Sequence, residues 1–155
     1  SSTDALTGIL NRRAFQIALE EELRKKRSGV FIFVDVDNFK LYNDKYGHNN
    51  GDLCLKYFAR KMCQCFPKDS ILGRYGGDEF VIYLKNATRE KACDYMEYFQ
   101  KKISYLILPT GKEIALSASA GGAVFPEQGE DFISLCRSAD AALYDVKQNG
   151  KQPSK

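Results

Sequence analysis

The sequence predicts an α+β domain in which a mostly antiparallel central sheet has helices on both sides. Three observations favour this fold class. Two continuous apolar runs, residues 30–34 and 80–84, have the length and the β-branched and aromatic composition of buried strands. Several longer segments carry apolar residues at helical spacing. A Gly76-Gly77 pair between two apolar runs indicates a hairpin, so the strands that it joins are antiparallel.

The predicted helices follow from apolar residues that recur every three or four positions. They span residues 12–27, 39–46, 52–66, 88–104 and 131–149. Asn11 is placed to cap the first helix, Asp52 to cap the third, and Gly150 to end the last. Asp37-Asn38 is placed to cap the second, an ordinary structural role that we assign to Asp37. Short strands are predicted at residues 114–119 and 121–125, and the tail after residue 150 is expected to fray.

Length and composition are those of one ordinary globular domain. Of 155 residues, 44% are apolar and 28% are charged, and the net charge of +3 is too small to indicate nucleic acid or a membrane surface as a partner. Five cysteines and one histidine, at spacings unlike those of zinc sites, favour reduced packing cysteines in a cytoplasmic protein. Without a signal peptide or an initiator methionine, the chain is expected to be a piece of a longer protein.

One stretch carries the strongest chemical signal: Arg74-Tyr75-Gly76-Gly77-Asp78-Glu79-Phe80. Its glycine pair predicts a tight turn with positive φ angles. The turn places Asp78 and Glu79 at the tip of a two-stranded ribbon, where a purely structural turn needs only one acid or amide beside the glycine. Two adjacent carboxylates favour a bound cation, and hard oxygen ligands of this kind predict Mg²⁺.

A second acid, Asp35, ends the first buried strand, where ligands usually bind in α/β proteins. If that strand neighbours the hairpin, Asp35 converges with Asp78 and Glu79 on one or two Mg²⁺ ions, as in two-metal nucleotidyl transfer. The start of the next helix offers free N–H groups to phosphate oxygens, and Lys40 can neutralise charge that develops on the phosphates. These residues predict metal-dependent phosphoryl chemistry on a nucleotide.

The identity of the base is a hypothesis at this point. Asn43 and Asp52 supply a carboxamide and a carboxylate, and a carboxylate can accept from guanine N1–H and the exocyclic amine. Other polar residues have ordinary interpretations when taken singly. Lys147 resembles a solvated lysine on a helix, His48 an incidental turn residue, and Asp140 a residue of a helix surface.

Four sequence blocks occur in order across almost the whole chain: residues 4–13 (DALTGILNRR), residues 35–52 (DVDNFK, then ND, GH and GD), residues 74–80, and residues 139–147 (ADAALY, then Lys147). Together they resemble the GGDEF family, the diguanylate cyclases. The resemblance implies a nucleotide-cyclase or palm-like fold and a single domain over residues 1–155. It also implies a role in bacterial second-messenger signalling.

The resemblance further implies that two GTP molecules are condensed into cyclic di-GMP, with release of two pyrophosphates and with Mg²⁺ or Mn²⁺ as cofactor. One GTP for each domain implies an antiparallel homodimer. We expect a cytoplasmic domain, with a sensory or membrane region missing before its N-terminus and no nucleic-acid partner. The implied site residues are Asp35, the Val36 carbonyl, Asp78 and Glu79 for metal, Asp78, Glu79 and Lys40 for catalysis, and Phe39, Asn43, His48, Asp52, Gly76, Gly77, Lys147 and Lys151 for substrate.

The chain departs from the family pattern at several positions. Product-inhibited members carry Arg-x-x-Asp where this chain has Pro67 and Ser70, so no inhibitory site of that type is expected. Lys151 replaces the usual arginine, which removes a planar fork that grips phosphate. By the same resemblance, we expect the sequence to end before the strand that usually closes the domain. Asp52, where relatives that accept adenine carry serine, implies a product made from guanine nucleotides alone.

Two alternatives remain open from the sequence. One is a non-catalytic GGDEF module that binds GTP or a partner and regulates a neighbouring domain, although such relatives typically lose the signature acids that are intact here. The other is a palm-like enzyme acting on another nucleotide, which fits the predicted metal site but not the guanine-reading pair.

Overall fold

The computed structural model describes residues 1–151, without the side chains of residues 150 and 151. Its central sheet has the strand order β2-β3-β1-β6, with every neighbouring pair antiparallel, and β4 and β5 form a separate hairpin. The elements in chain order are α1 (Arg12–Leu23), β1 (Gly29–Val36), α2 (Phe39–Tyr46), α3 (His48–Cys65), β2 (Ile71–Arg74), β3 (Glu79–Lys85), α4 (Arg89–Ile103), β4 (Leu106–Ile107), β5 (Glu113–Ile114), β6 (Ala118–Phe125) and α5 (Phe132–Lys151).

Helices cover both faces of the sheet. Alternate residues of a strand point to opposite faces. Val30, Ile32 and Val34 of β1 therefore join a core with α3 and α4, while Phe31 and Phe33 join a second core with α1 and α5. Because both of its faces are covered, β1 is buried along its whole length. This explains its uninterrupted apolar run and confirms the predicted fold class.

The helix boundaries differ from the prediction near the N-terminus. Asn11 caps α1 as expected, since its side chain accepts from the Ala14 N–H at 2.9 Å. The helix nevertheless ends at Leu23, and the chain leaves it through Lys26, which has φ 59°. The break between α2 and α3 occurs at Gly47, with φ 88°, a backbone conformation that favours glycine. Helix α3 therefore starts at His48, and Asp52 lies within it instead of capping it.

The second half differs in two further places. A single strand, β6, runs through the region where two short strands were predicted, because it pairs with β1 along its length. Residues 113–114 pair instead with β4, in a hairpin that was not predicted. Helix α5 continues to Lys151, so Gly150 lies within the helix and does not end it. Over residues 1–151, no helix is both long and apolar enough to cross a bilayer.

Candidate active site

Acidic residues from two neighbouring strands meet at one end of the sheet. Strands β1 and β3 pair antiparallel with Asp35 directly opposite Glu79, and the Val36 N–H donates to the Asp78 carbonyl at 3.1 Å. The strand that carries Asp35 is therefore a neighbour of the hairpin, the condition on which the predicted convergence of Asp35 with Asp78 and Glu79 depended. Asp35 belongs to the strand itself and is only 8% exposed, whereas Asp78 and Glu79 are half-buried.

The electrostatics of this cluster centre on Asp35. Lys147 of α5 donates to Asp35 Oδ2, while Asp35 Oδ1 is buried without a hydrogen-bond partner among the residues described. Burial raises the pKa of Asp35, the Lys147 ammonium opposes that shift, and the neighbouring carboxylate of Asp78 adds to it. Burial, together with the charges of Asp35 and Asp78, also raises the pKa of Glu79. The three carboxylates of the site therefore carry more negative charge than the single ammonium group of Lys147 can neutralise.

The turn between β2 and β3 is held by a side chain instead of by left-handed glycines. Neither Gly76 nor Gly77 has a positive φ, so that part of the prediction is wrong. The Tyr75 N–H donates to the Glu79 carbonyl at 2.8 Å, and the Arg74 guanidinium donates to the carbonyls of Gly76 and Gly77 at 2.8–3.1 Å. Glycine at position 76 leaves room for the observed position of the Glu79 carboxylate, because a Cβ there would lie 2.6 Å from Glu79 Oε1.

Arg74 also connects the turn to the start of the chain. Its Nη1 lies 3.2 Å from both carboxylate oxygens of Asp4, and Asp4 Oδ2 accepts from the N–H and the hydroxyl of Thr7 at 2.9 and 2.7 Å. Burial alone would raise the pKa of Asp4, but the hydrogen bonds from Thr7 and Arg74 outweigh it and lower that pKa. Sequence reasoning assigned no role to either member of this pair, although both lie within recognised blocks.

Next to the acids lies a cleft of about 290 Å³ that brings four of the eight predicted substrate residues together. It is lined by Phe39, Lys40, Asn43, Asp52, Leu55, Arg74, Gly77 and Asp78. Asn43 belongs to α2 and Asp52 to α3. Both line the same cleft because these two helices pack closely against each other. A Cβ at Gly51 would lie 1.6 Å from Asn43 Oδ1, so this approach requires glycine.

Of the other four predicted substrate residues, the three that the structure describes in full are not part of the cleft lining; one of them, Gly76, lies in the turn beside it. His48 is exposed at the start of α3 and does not line the cleft. Lys147 contacts the acidic cluster and is likewise not part of the cleft lining. The side chain of Lys151 lies outside the described part of the chain.

Asp37 does not cap α2 as predicted. Its carboxylate accepts from the hydroxyls of Ser117 and Ser119, each at 2.6 Å, and the start of α2 has no side-chain cap. Neither serine was singled out from the sequence. Both fall in a segment predicted to be a strand, where residues two apart share a face.

The sequence profile of the diguanylate cyclase GGDEF domain matches residues 1–153, nearly the whole chain. The chain belongs to the GGDEF domain family. Among its relatives, it is 35% identical to the cyclic di-GMP phosphodiesterase PdeR of Escherichia coli K12 and 31% identical to the probable diguanylate cyclase DgcC of the same strain, over 97% of this chain in each case. This GGDEF domain spans only 23% of the length of PdeR and 42% of DgcC.

Solved structures of GGDEF domains have the same fold. A sensory box/GGDEF family protein from Caulobacter crescentus CB15 is 30% identical, with a TM-score of 0.87 over 97% of this chain and 100% of that one. The GGDEF domain of DgcB from C. crescentus, solved in complex with c-di-GMP, is 29% identical, with a TM-score of 0.85 over 96% of this chain and 89% of that one. The palm-like arrangement expected of a diguanylate cyclase domain is confirmed.

The acids of this GGDEF domain suit a divalent metal, although no three His, Cys, Asp or Glu side chains in residues 1–151 are grouped as a ready-made metal site. Mg²⁺ is usually bound by one or two carboxylates, with waters and substrate phosphates completing its shell, so a larger protein cluster is not required. Asp35 fits that description, because its buried Oδ1 lacks a partner and its other oxygen faces a cation, Lys147.

Proposed function

We propose that this GGDEF domain is a diguanylate cyclase, which condenses two GTP molecules into cyclic di-GMP and releases two pyrophosphates. The observation that carries the proposal is the meeting of Asp35 with Asp78 and Glu79 beside a cleft lined by Lys40 and Asn43. Similarity to DgcC and to the E. coli diguanylate cyclase DosC, which is 34% identical over 96% of this chain, supports the same reaction.

The chemistry is two successive nucleotidyl transfers. In each, a ribose 3′-hydroxyl oxygen attacks the α-phosphorus of the other GTP, a phosphodiester bond forms, and the bond from Pα to the bridging oxygen breaks. Pyrophosphate leaves with that electron pair, and the hydroxyl proton passes to a base. We assign Asp78 to assist this deprotonation and Lys40 to neutralise charge on the phosphates.

We assign the metal ligands to Asp35, the Val36 carbonyl and Asp78, with Glu79 supporting the site. A bound Mg²⁺ or Mn²⁺ would polarise the phosphate oxygens and lower the pKa of the attacking hydroxyl. Asp35, Asp78 and Glu79 lie together at this point of the fold, and repulsion between neighbouring carboxylates adds to burial in raising the pKa values of Asp35 and Glu79. Such a cluster favours a divalent cation over a single ammonium group.

Substrate recognition is assigned to the α2–α3 side of the site. Phe39 and Lys40 at the start of α2 would face the phosphates, together with Gly76, Gly77, Lys147 and Lys151. Asn43 and Asp52 would read the guanine edge, with His48 nearby at the start of α3. The close packing of Asn43 on Gly51 supports a fixed guanine-reading pair, and Asp52 supports GTP over ATP.

We infer that two copies must face each other, because one domain supplies one GTP and the product contains two. We also infer that the domain acts in the cytoplasm as part of a longer signalling protein. The small share of PdeR and DgcC that it spans supports the second inference.

The test is to incubate the chain at high concentration with GTP and Mg²⁺ and to measure cyclic di-GMP by chromatography. The control is Asp78→Asn, which keeps the shape of the side chain and removes its charge. We expect product from the wild type, little from the variant, and a rate that rises faster than linearly with protein concentration. Wild type that binds GTP and makes no product, even after fusion to a dimerising coiled coil, would overturn the cyclase assignment.

One observation favours a second candidate, a GTP-binding module that regulates a neighbouring domain without cyclising GTP. PdeR, which is 35% identical to this chain, is named as a cyclic di-GMP phosphodiesterase and not as a cyclase. GTP binding with no product in the coiled-coil fusion would support this candidate, whereas product formation would exclude it as the sole function.

A further inference from the structure

The carboxylate of Asp37 is held by two hydroxyl groups, one from Ser117 directly before β6 and one from Ser119 within it. Ser117 Oγ donates to Oδ2 and Ser119 Oγ to Oδ1, each at 2.6 Å, and the Asp37 N–H donates to the Ser117 carbonyl at 2.9 Å. Hydroxyl-to-carboxylate hydrogen bonds are among the short, strong class. Three hydrogen bonds thus join one loop residue to a neighbouring strand.

The loop that Asp37 restrains connects the acidic cluster to the cleft. Asp37 follows Asp35 and Val36 directly, and it precedes Phe39 and Lys40, which line the cleft. Between them, Asn38 adopts a left-handed conformation, with φ 56° and ψ 29°, which non-glycine residues rarely adopt. Such a conformation persists when the surrounding structure enforces it.

Core packing restrains α2 only in part, because Phe39 and Tyr42 pack half-buried against the core and no residue of the helix is fully buried. The hydrogen bonds of Asp37 add polar restraints at the start of the helix. One turn further along α2, Asn43 packs against Gly51 of α3, a contact in which the Asp37 hydrogen bonds take no part.

We propose that Asp37, together with Ser117 and Ser119, is a positioning residue that fixes the phosphate-facing start of α2. The inference rests on the proposed function, because it takes the N–H groups at this helix start to face the phosphates of GTP. Loss of the two hydroxyls removes two of the three hydrogen bonds of Asp37 and loosens the loop and the start of α2, while the contact of Asn43 with Gly51 stays in place. The defect therefore follows the β- and γ-phosphates of the ligand and not its base.

The main test compares two nucleotides with Ser117→Ala/Ser119→Ala. Titration calorimetry in Mg²⁺ measures 3′-deoxy-GTP, which lacks the attacking hydroxyl and cannot cyclise, and GMP, which lacks the outer phosphates. We expect binding of 3′-deoxy-GTP to weaken about tenfold, or 1.4 kcal/mol, and binding of GMP to change less than about twofold. Equal losses for both ligands, or no loss for either, would overturn the inference.

The matched control is Ser104→Ala, which removes a hydroxyl that donates to the Lys101 carbonyl at 2.7 Å, at the end of α4. It should leave both affinities unchanged. If the double variant fails to fold, the single variants Ser117→Ala and Ser119→Ala each remove one hydroxyl, and each should give a smaller loss for 3′-deoxy-GTP alone.

A measurement without nucleotide separates this inference from the proposed function. Hydrogen exchange of the amides of residues 38–40 should be faster in Ser117→Ala/Ser119→Ala than in the wild type and unchanged in Ser104→Ala. Unchanged exchange in the double variant would show that the serines do not hold the loop. A wild type that binds neither nucleotide would refute the proposed function, and the exchange result would still decide the role of the serines.

Discussion

Asp4 and Arg74 lie seventy positions apart and form a two-oxygen ion pair, with Arg74 Nη1 3.2 Å from each carboxylate oxygen of Asp4. The same guanidinium donates to the carbonyls of Gly76 and Gly77 in the turn that leads to the acidic cluster. One side chain therefore holds both the opening loop of the chain and the signature turn. A rearrangement of residues 4–7 would therefore shift the Arg74 guanidinium and, with it, the hydrogen bonds that hold the turn.

Arg74→Lys should weaken both connections while keeping the positive charge. An ammonium cannot donate in a planar fork to the turn carbonyls and to Asp4 at once. We expect the free energy of unfolding to fall by about 2 kcal/mol, the scale of a charge-assisted hydrogen bond, and cyclase activity to fall further than that of Arg60→Lys, an exposed control on α3. Urea denaturation and product assays measure the two effects, and equal behaviour of the two variants would contradict the role of Arg74.

Asp4→Asn should change the acid dependence of stability. The folded pKa of Asp4 is lowered because hydrogen bonds from Thr7 and Arg74 outweigh burial. A depressed carboxyl pKa stabilises the folded state above the unfolded value of about 3.9 and ceases to do so as the pH falls through the folded value. The wild type should therefore exceed the variant in stability at pH 7, and the difference should shrink below about pH 4.

Urea midpoints at several pH values measure this effect, with the exposed Asp69→Asn as a control. A difference between wild type and Asp4→Asn that stays constant from pH 7 to pH 3 would show that the carboxylate is not the source of the stabilisation.

Gly51→Ala should separate stability from nucleotide binding. The added Cβ would lie 1.6 Å from Asn43 Oδ1 and 2.8 Å from Asn43 Cγ, so the Asn43 side chain must rotate away, and Phe39, at 3.2 Å, must shift slightly. Replacing a helical glycine with alanine can even stabilise by about 0.5–1 kcal/mol. Binding of GTP should weaken about tenfold, because Asn43 would be displaced from the cleft and would lose its proposed hydrogen bond to the base.

Thermal unfolding and calorimetric titration are the measurements for Gly51→Ala. In an Asn43→Ala background, the same change should cost no further affinity, since the displaced group is already absent. A full additional loss in that background would place the effect elsewhere.

Lys147→Met should have effects of opposite sign on two ligands. Its ammonium is paired with Asp35, where the proposed metal would bind. Removing it should strengthen binding of Mn²⁺ alone by a few-fold, because competition for the carboxylate ends, and weaken binding of GTP with Mn²⁺, because a phosphate partner is lost. Electron paramagnetic resonance of free Mn²⁺ and calorimetry measure the two affinities. Lys101→Met, an exposed lysine on α4, controls for net charge. If both affinities rise or both fall, Lys147 does not compete with the metal for Asp35 and also bind the phosphates of GTP.

Local patterns predicted the parts of the site that lie within one element. Asp35 followed from a buried run that ends in an acid, and Asp78 and Glu79 followed from a turn between two strands. Their convergence depended on β1 and β3 being neighbours, which pairing across 44 positions confirms for Asp35 and Glu79. The cleft likewise gathers Phe39, Lys40, Asn43 and Asp52, although Asp52 lies within a helix and caps nothing.

The contacts that no local pattern contains were missed. Arg74 reaches Asp4 across seventy positions, and Asp37 reaches Ser117 and Ser119 across eighty and eighty-two. Periodicity indicates which face a residue occupies, but not which distant loop that face will meet. The conformation of the turn was predicted wrongly for a related reason. Positive φ angles at the two glycines were expected to form it, but the Arg74 side chain holds the turn by hydrogen bonds to its carbonyls.

The absence of buried residues in α2 has a consequence for how the two halves of a nucleotide bind. The half-buried side chains of this helix, Phe39 and Tyr42, keep more freedom than fully buried ones would, so a ligand that immobilises α2 removes conformational entropy, and the first group to bind bears that loss. Guanosine and triphosphate, bound separately, would each bear the whole entropy loss of α2. GTP, which contains both groups, bears that loss only once. The affinity of the whole nucleotide should therefore exceed what its separate fragments imply, so screening fragments against this domain would underestimate the molecules that combine them.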